Sequence, residues 1–390
     1  MRFPEFTEEW KKIRLDSFTE RVIRKNKNNL SKLPLTISAQ YGLVDQITFF
    51  NKVVASTDMS NYYLLKKGEF AYNKSYSSDY PWGAIKRLDN YGQGALSSLY
   101  ICFAPKDNVE TDFILQYFES PKWHKGVSEI AVEGARNHGL LNISVQDFFH
   151  THHYMPKEKK EQAKIAKLLM FLDERIATQN KIIEKYKSLI KGINQYAFTN
   201  TGINYKLGEI CEIRSGYSGN QLSLKNGLNV SRIETISGHK VNMERVGYVA
   251  PFESSENYRM QIGDILFSNI NSVEYIGNTA FIDKDYSLYH GMNLLRLIPN
   301  KDIVMPFYLY LVLNTNRLLN HFKTVCNKAV SQASINQTEL GKTIVWIPDL
   351  MNQNRICELF QTLYTKLEAE KYFISLLQKQ KQYLFRQMFI

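Results

Sequence analysis

The stretch from Glu161 to Phe198 constrains this chain most, because it reads as one long helix and the chain carries it twice. Apolar residues fall at Ile165, Leu168, Leu172, Ile176, Ile183, Tyr186, Ile190 and Ile193, in steps of three and four with a polar break at Gln179. Such a heptad seam keeps one helix face apolar and requires a partner. Shifted by 191 residues (Gln353 minus Gln162), it returns as Ile356, Leu359, Leu363, Leu367, Ile374, Leu377 and Leu384, with Phe198 matching Phe389. A helix of about 38 residues is roughly 57 Å long.

Neither stripe is stable alone in water, so the two pack most simply on each other. About 150 residues lie between them, enough for a compact domain whose termini are close together, which favours an antiparallel pair. Two ordinary amphipathic helices of a bundle are the alternative.

The rest of the chain is globular in composition, with 44% hydrophobic residues in 390, enough for two or more domains. An excess of 49 Lys and Arg over 38 Asp and Glu gives a charge of +11, which favours a polyanion or an acidic surface as partner. Cys102, Cys211, Cys326 and Cys357 are far apart, with no spacing suited to a zinc ribbon or a disulfide framework, and they fit a reducing cytoplasm. No apolar run reaches membrane-spanning length, and the charged start MRFPEFTEEWKKIRL lacks the apolar core of a signal peptide. A soluble cytoplasmic protein is expected.

Residues 1 to 156 alternate β-like runs with turn signals: KKIRL (11 to 15), LPLTIS (33 to 38), GEFAY (68 to 72) and LSSLYICFAP (96 to 105). A helix-like segment, TDFILQYFES (111 to 120), follows, then EGARNHGLLNIS (133 to 144) and QDFFHTHHYMP, ending at Pro156. Residues 204 to 348 repeat the plan. KLGEICEI (206 to 213) takes the place of KKIRL, GDILFS (263 to 268) that of GEFAYN, and NLLRLIP (293 to 299) that of SSLYICFAP. PFYLYLVLNTNRLLNHF (306 to 322) supplies the helix after the matched strand, and SQASINQTEL (331 to 340) stands for ARNHGLLNIS. The chain is therefore a duplication of an α/β or α+β globule followed by a long helix: residues 1–156, 157–200, 201–348 and 349–390.

An antiparallel helix pair has a two-fold axis across it, so similar globules at its ends are related by a pseudo-dyad. Duplex DNA has dyads too, and symmetric DNA readers place two recognition elements roughly 34 to 36 Å apart. Diverged halves in one chain imply a target whose two halves differ.

This ordered pattern resembles the specificity subunit of type I restriction-modification systems: target-recognition domain, long helix, second target-recognition domain, second long helix. The residues that carry it are Pro156 followed by Glu161, Gln162 and Ile165, then Pro348 followed by Gln353 and Ile356, with Gly263-Asp264-Ile265-Leu266 and Gln332 ahead of Ile335-Asn336. The family's Thr-Pro after the Ser-Gly of the first strand is replaced here by Tyr217-Ser218, and Thr19-Glu20-Arg21 stands there in the first half. The resemblance implies a non-catalytic subunit that binds double-stranded DNA. Its partners would be two methyltransferase subunits, carrying S-adenosylmethionine, and restriction motor-nuclease subunits, carrying ATP and Mg²⁺. No cofactor or metal would be held by this chain.

Catalytic motifs are not evident. There is no Pro-Pro, so the Asn-Pro-Pro-aromatic motif of amino-methyltransferases is absent. Gly341-Lys342-Thr343 imitates the end of a P-loop, but position 336 is Asn, which leaves a turn before the strand TIVWIP. His150, His152 and His153 alternate on a strand-like run without a carboxylate or thiol ligand beside them, and a structural role outweighs a metal site. Glu158-Lys159-Lys160 matches a nuclease Glu-x-Lys only through the Lys-rich start of a helix.

DNA contact needs Lys, Arg or backbone amides at phosphates, and Arg, Asn, Gln or hydroxyls at base edges. In the first half the candidates are Lys25, Lys27, Lys74, Tyr76, Arg136 and Asn137. The second half offers Arg214, Tyr217, Asn269, Asn271, Lys328 and Gln332. For any one of these a solvated surface role is the competing reading, and most Tyr and Phe residues belong to a core. A coiled-coil scaffold whose globules bind proteins shares the duplication but not a salt-dependent affinity for DNA, and a self-sufficient DNA enzyme would need the missing catalytic signature.

Overall fold

The computed structural model describes residues 2–52, 54–131, 141–198, 202–222, 226–329 and 332–389. Two compact units divide the chain: Met1–Asn180 with Tyr372–Ile390, and Lys181–Lys371. Both crossings fall inside the long helices Lys159–Tyr196 and Leu350–Met388, so each unit holds one globule and part of each helix.

In the first unit the domain is closed by its own ends, with strand Lys11–Arg14 antiparallel to His152–Met155. The run KKIRL does not continue as a strand to Leu15. A one-turn helix, Leu15–Phe18, begins there, and the Leu15 amide donates to the Thr151 carbonyl at 2.9 Å. An antiparallel sheet follows in the order Thr19–Arg21, Ile101–Pro105, Phe70–Asn73, Ala84–Arg87. Beside it lies a second sheet, Gly42–Asp45, Pro34–Ser38, Gln93–Leu96, Tyr63–Lys66, whose middle pair is parallel. Helix Thr111–Glu119 turns Phe113, Ile114, Tyr117 and Phe118 into a core with Phe18, Phe70, Phe103 and Phe148, in which the Phe70 and Phe103 rings stack at 5.4 Å. Aromatic crowding of this kind gives a small domain a large apolar burial per residue.

The second unit repeats the closing strand pair, the one-turn helix and the first sheet of this plan. Strand Ile203–Lys206 pairs with Ile344–Ile347, a one-turn helix Leu207–Ile210 follows, and the Leu207 amide donates to Thr343 at 2.8 Å. The sheet order is Cys211–Ser215, Leu295–Pro299, Ile265–Phe267, Thr279–Phe281, again antiparallel. Ile203–Lys206, rather than KLGEICEI, is thus the counterpart of Lys11–Arg14. Gly68 and Gly263 occupy matched turns with φ of 87° and 100°, a left-handed backbone that favours glycine, and their amides donate to Leu88 and Ile282. The carboxylates that follow them are matched as well: Glu69 accepts from the Lys66 amide at 2.7 Å and Asp264 from the Gln261 amide at 2.6 Å. Their cations differ, Arg24 for Glu69 and the buried Arg296 for Asp264.

PFYLYLVLNTNRLLNHF forms two helices, Pro306–Leu313 and Asn316–Val325, because Thr315 caps the second by accepting from the Leu318 amide. The false P-loop is a short helix, Gln337–Gly341, capped by Asn336, which accepts from Glu339 at 2.7 Å. The three histidines do not share a strand: His150 ends a helix, and only His152 and His153 lie on one. Among the described residues no group of three or more His, Cys, Asp or Glu is placed to hold a metal, and no helix is long and apolar enough to cross a membrane.

The long helices run antiparallel in the first unit, and in both units they pack on a shared core. In the first, Asp173 pairs with Lys381 and Arg175 lies 5.3 Å from the Phe373 ring centre, so advance along one helix is retreat along the other. In the second, Ile190 and Ile193 pack on the core that holds Cys357 and Phe360, with Ile356 and Tyr364 against it. Ile165, Leu172, Ile183, Leu363 and Leu367 are buried, and Ile176, Ile356 and Ile374 half-buried, as seam residues should be. Leu168 and Leu359 are not seam residues. They are 37% and 44% exposed, while their neighbours Leu169 and Phe360 are fully buried. With Leu169 the sequence 165, 169, 172, 176, 179, 183 steps strictly four and three, and Gln179, which looked like a break, occupies a buried seam position.

Candidate nucleic-acid interface

Strand register decides which loops share one end of each domain. In the second domain Ser215, Leu295 and Phe267 are aligned across three strands. The chain leaving Ser215, the chain entering Leu295 and the chain leaving Phe267 therefore emerge at the same sheet end. Arg214, Tyr217, Asn269 and Asn271 all lie there. A three-stranded ribbon then draws in the rest, since Ala333–Ser334 pairs with both Ile270–Asn271 and Asn327–Lys328, and the Ala329 amide donates to the Gln332 carbonyl at 2.7 Å.

These side chains are not equally available. The Arg214 guanidinium forks onto the Glu212 carboxylate at 2.6 and 3.0 Å, which holds Glu212 below the usual carboxylate range. Asn271 is turned inward, donating to Ser268 Oγ at 3.0 Å and accepting from the Ser272 amide at 2.8 Å. Asn269 donates to the Ile335 carbonyl at 3.4 Å. Both amides shape the loop, whereas Lys328 and Gln332 are exposed. Tyr217 is half-buried and stacks on Phe252 at 4.0 Å and 8°, with Tyr258 edge-on at 5.5 Å. Phe252 and Tyr258 escaped sequence reasoning, because they lie some way along the chain in a segment without strand or helix periodicity. Beneath them His290 is buried, and its Nε2 faces the Leu294 carbonyl at 3.0 Å. A carbonyl only accepts, so Nε2 carries the proton, and burial pushes the imidazole down to about 4.

In the first domain Tyr72 and Phe70 pair with Ile101 and Phe103, and Arg21 also pairs with Phe103. Lys74 and Tyr76, following Asn73, and the chain leaving Arg21 toward Lys25 therefore share one sheet end. Lys25 donates to the Asn61 carbonyl at 2.8 Å with its ammonium 4.2 Å from the Tyr63 ring centre. Lys74 is directed at the Ile143 carbonyl, 3.3 Å away, so it ties the loop down rather than facing outward. Lys27 is exposed in a one-turn 3-10 helix, and Tyr76 is 46% exposed. Arg136 and Asn137 lie outside the described residues.

Known proteins share parts of this sequence and all of this fold. Residues 203–377, the second domain with part of the second long helix, match the type I restriction modification DNA specificity domain. Over 188 residues the chain is 38% identical to a putative type I restriction enzyme MjaX specificity subunit of Methanocaldococcus jannaschii. That match covers 47% of this chain and 44% of the relative, less than half its length. Across 98% of both chains the fold follows one from a structure of complex assembly and conformational transition in the type I R-M system, with a TM-score of 0.61 at 18% identity. It also follows the S subunit of a type I restriction-modification system from M. genitalium, with a TM-score of 0.57 at 16% identity, over 100% of this chain and 97% of that one. Two mixed domains with loops at matched sheet ends, joined through two long helices, are the fold of these subunits, and the second domain is similar in sequence to the DNA specificity domain of type I restriction-modification systems.

Proposed function

We propose that this chain is the sequence-reading, non-catalytic subunit of a type I restriction-modification complex, and that it recognises an asymmetric bipartite target in double-stranded DNA. Each domain reads one half, and two methyltransferase subunits with S-adenosylmethionine methylate adenine where the chain directs them. Restriction motor-nuclease subunits, using ATP and Mg²⁺, cleave DNA through the same complex. The observation that supports this most is the duplication of one sheet-end loop frame carrying unlike residues: Lys25, Lys27 and Tyr76 in one copy, Arg214, Tyr217, Lys328 and Gln332 in the other. A shared frame with different side chains reads two different half-sites through one kind of docking. The charge of +11 adds the phosphate attraction such docking needs, and with it a steep dependence on salt.

The test is to produce the chain with its methyltransferase partners in cells lacking other adenine methylation and to map methylated adenines. A two-part motif with unlike halves is expected. Methylation without sequence preference, or a motif with identical halves, contradicts the reading.

A further inference from the structure

The loop end of the second domain is built on a backbone crossing that only glycine permits. A Cβ on Gly216 would lie 1.9 Å from the Gly291 carbonyl oxygen, and one on Gly291 would lie 2.1 Å from that of Ser231. Three segments thus touch main chain to main chain. Hydrogen bonds hold them: Tyr217 N to His290 O at 2.9 Å, Ser231 N to Tyr289 O at 2.8 Å, and Gly291 N to Ser231 Oγ at 3.0 Å.

Past the crossing the segments part around a cleft of about 500 Å³, lined by Asn220, Gln221, Arg232, Glu234, Met292 and Asn293. The lining is too polar for a void in a core. Arg232 is 46% exposed on its side chain and has only a 3.5 Å approach to Glu234. Among the described residues, the side-chain amides of Asn220, Gln221 and Asn293 are not engaged in a hydrogen bond. Asn293 stands at φ 64° on the turn that enters strand Leu295–Pro299, so its place at the rim is set by the backbone. Guanidinium and carboxamide groups are the ones that pair with guanine and adenine edges in the major groove. Arg214 and Asn271, by contrast, are engaged by near neighbours, Glu212 on the same strand and Ser268.

We propose that Asn220, Gln221, Arg232 and Asn293 form the surface with which the second domain meets the base edges of its half-site, Tyr217 and Phe252 bounding it as a stacked aromatic wall. This inference rests on the DNA-reading function proposed above. The set is drawn from three segments more than 70 residues apart end to end (Asn293 minus Asn220), which is why no local motif marks it.

The experiment maps adenine methylation by the full complex carrying Asn293→Gly, Arg232→Lys, or Asn220→Ala with Gln221→Ala. Glycine keeps the left-handed turn and lysine keeps the charge, so loss of fold does not mask the readout. The expected result is that discrimination at one or more base pairs in one half of the motif falls by about 5- to 150-fold, with the other half unchanged. An unaltered motif at unaltered levels in all three variants, or equal relaxation of both halves, overturns the proposal while leaving the broader function intact. Methylation without sequence preference by the unsubstituted complex would instead overturn the broader reading.

Discussion

Gln162 and Gln353, 191 positions apart (353 minus 162), make the same hydrogen bonds at the start of the two long helices. Gln162 accepts from the Glu110 amide at 2.8 Å and donates to the Pro156 carbonyl at 2.9 Å. Gln353 accepts from the Met305 amide at 2.7 Å and donates to the carbonyls of Pro348 and Ile303 at 2.8 and 3.0 Å. Each therefore ties the proline that ends its domain to the start of the first helix after the domain's matched strand, Thr111–Glu119 or Pro306–Leu313, and thereby fixes how the long helix leaves the globule. Because Gln353 is fully buried, Gln353→Ala leaves polar groups without partners and should cost about 2 to 4 kcal/mol. Thermal or urea unfolding of the chain measures it, and a loss below about 0.5 kcal/mol would show that the bonds do not hold the junction.

The seam residues make a sharper comparison. Leu169→Ala and Phe360→Ala remove side chains with no exposure and should destabilise by about 2 to 5 kcal/mol, while Leu168→Ala and Leu359→Ala should cost under about 1 kcal/mol. Urea midpoints of the four variants read the difference. Equal losses within each neighbouring pair would contradict the four-three seam.

Much of this fold was legible in the sequence. The duplication, the long helices and the matched glycine turns are written in residues whose spacing follows directly from backbone geometry. The seam was misread by one residue because Leu168 and Leu169 are both leucine, and only strict alternation through the polar Gln179 separates them. The break at Thr315 was missed because apolar residues continue on either side of the cap. For the interface, register places the loops after Arg21 and Asn73 at one sheet end and those after Ser215 and Phe267 at the matching end of the second domain, but the sequence does not say that Arg214 is held by Glu212, that Lys74 points inward, or that Gly216 and Gly291 cross. Those depend on contacts between distant segments.

Acid should weaken both domains through buried histidines. Thr151 Oγ1 donates to the Phe148 carbonyl at 2.7 Å, so toward His153 it accepts from Nε2 at 2.8 Å, leaving Nδ1 to accept from the Tyr117 hydroxyl at 3.0 Å. Burial pushes His153 down to about 3. A depressed folded pKa means that stability is complete above the unfolded value, about 6.5, and is lost as pH falls toward 3. The slope is at most about 1.4 kcal/mol per pH unit for one such group. Urea midpoints between pH 7 and 4.5 should fall, and His153→Gln should flatten the part that belongs to the first domain. An unchanged slope in that variant would assign the loss to other groups.

Every covalent link between the two units passes through a long helix. Adding one or two turns to both, at matched seam positions, should lengthen the unread gap in the methylated motif and leave both half-sites as they were. Mapping methylated adenines for the extended chain reads this directly. A changed half-site with an unchanged gap would contradict the spacing role.

The central claim, that one chain holds two independent readers of unlike half-sites, is tested most directly by exchanging residues 1–156 for the corresponding domain of a type I restriction-modification specificity subunit. Adenine methylation by the reassembled complex is then mapped. The account predicts that one half of the motif changes while the other half stays the same. An unchanged motif, or a change in both halves, would contradict it.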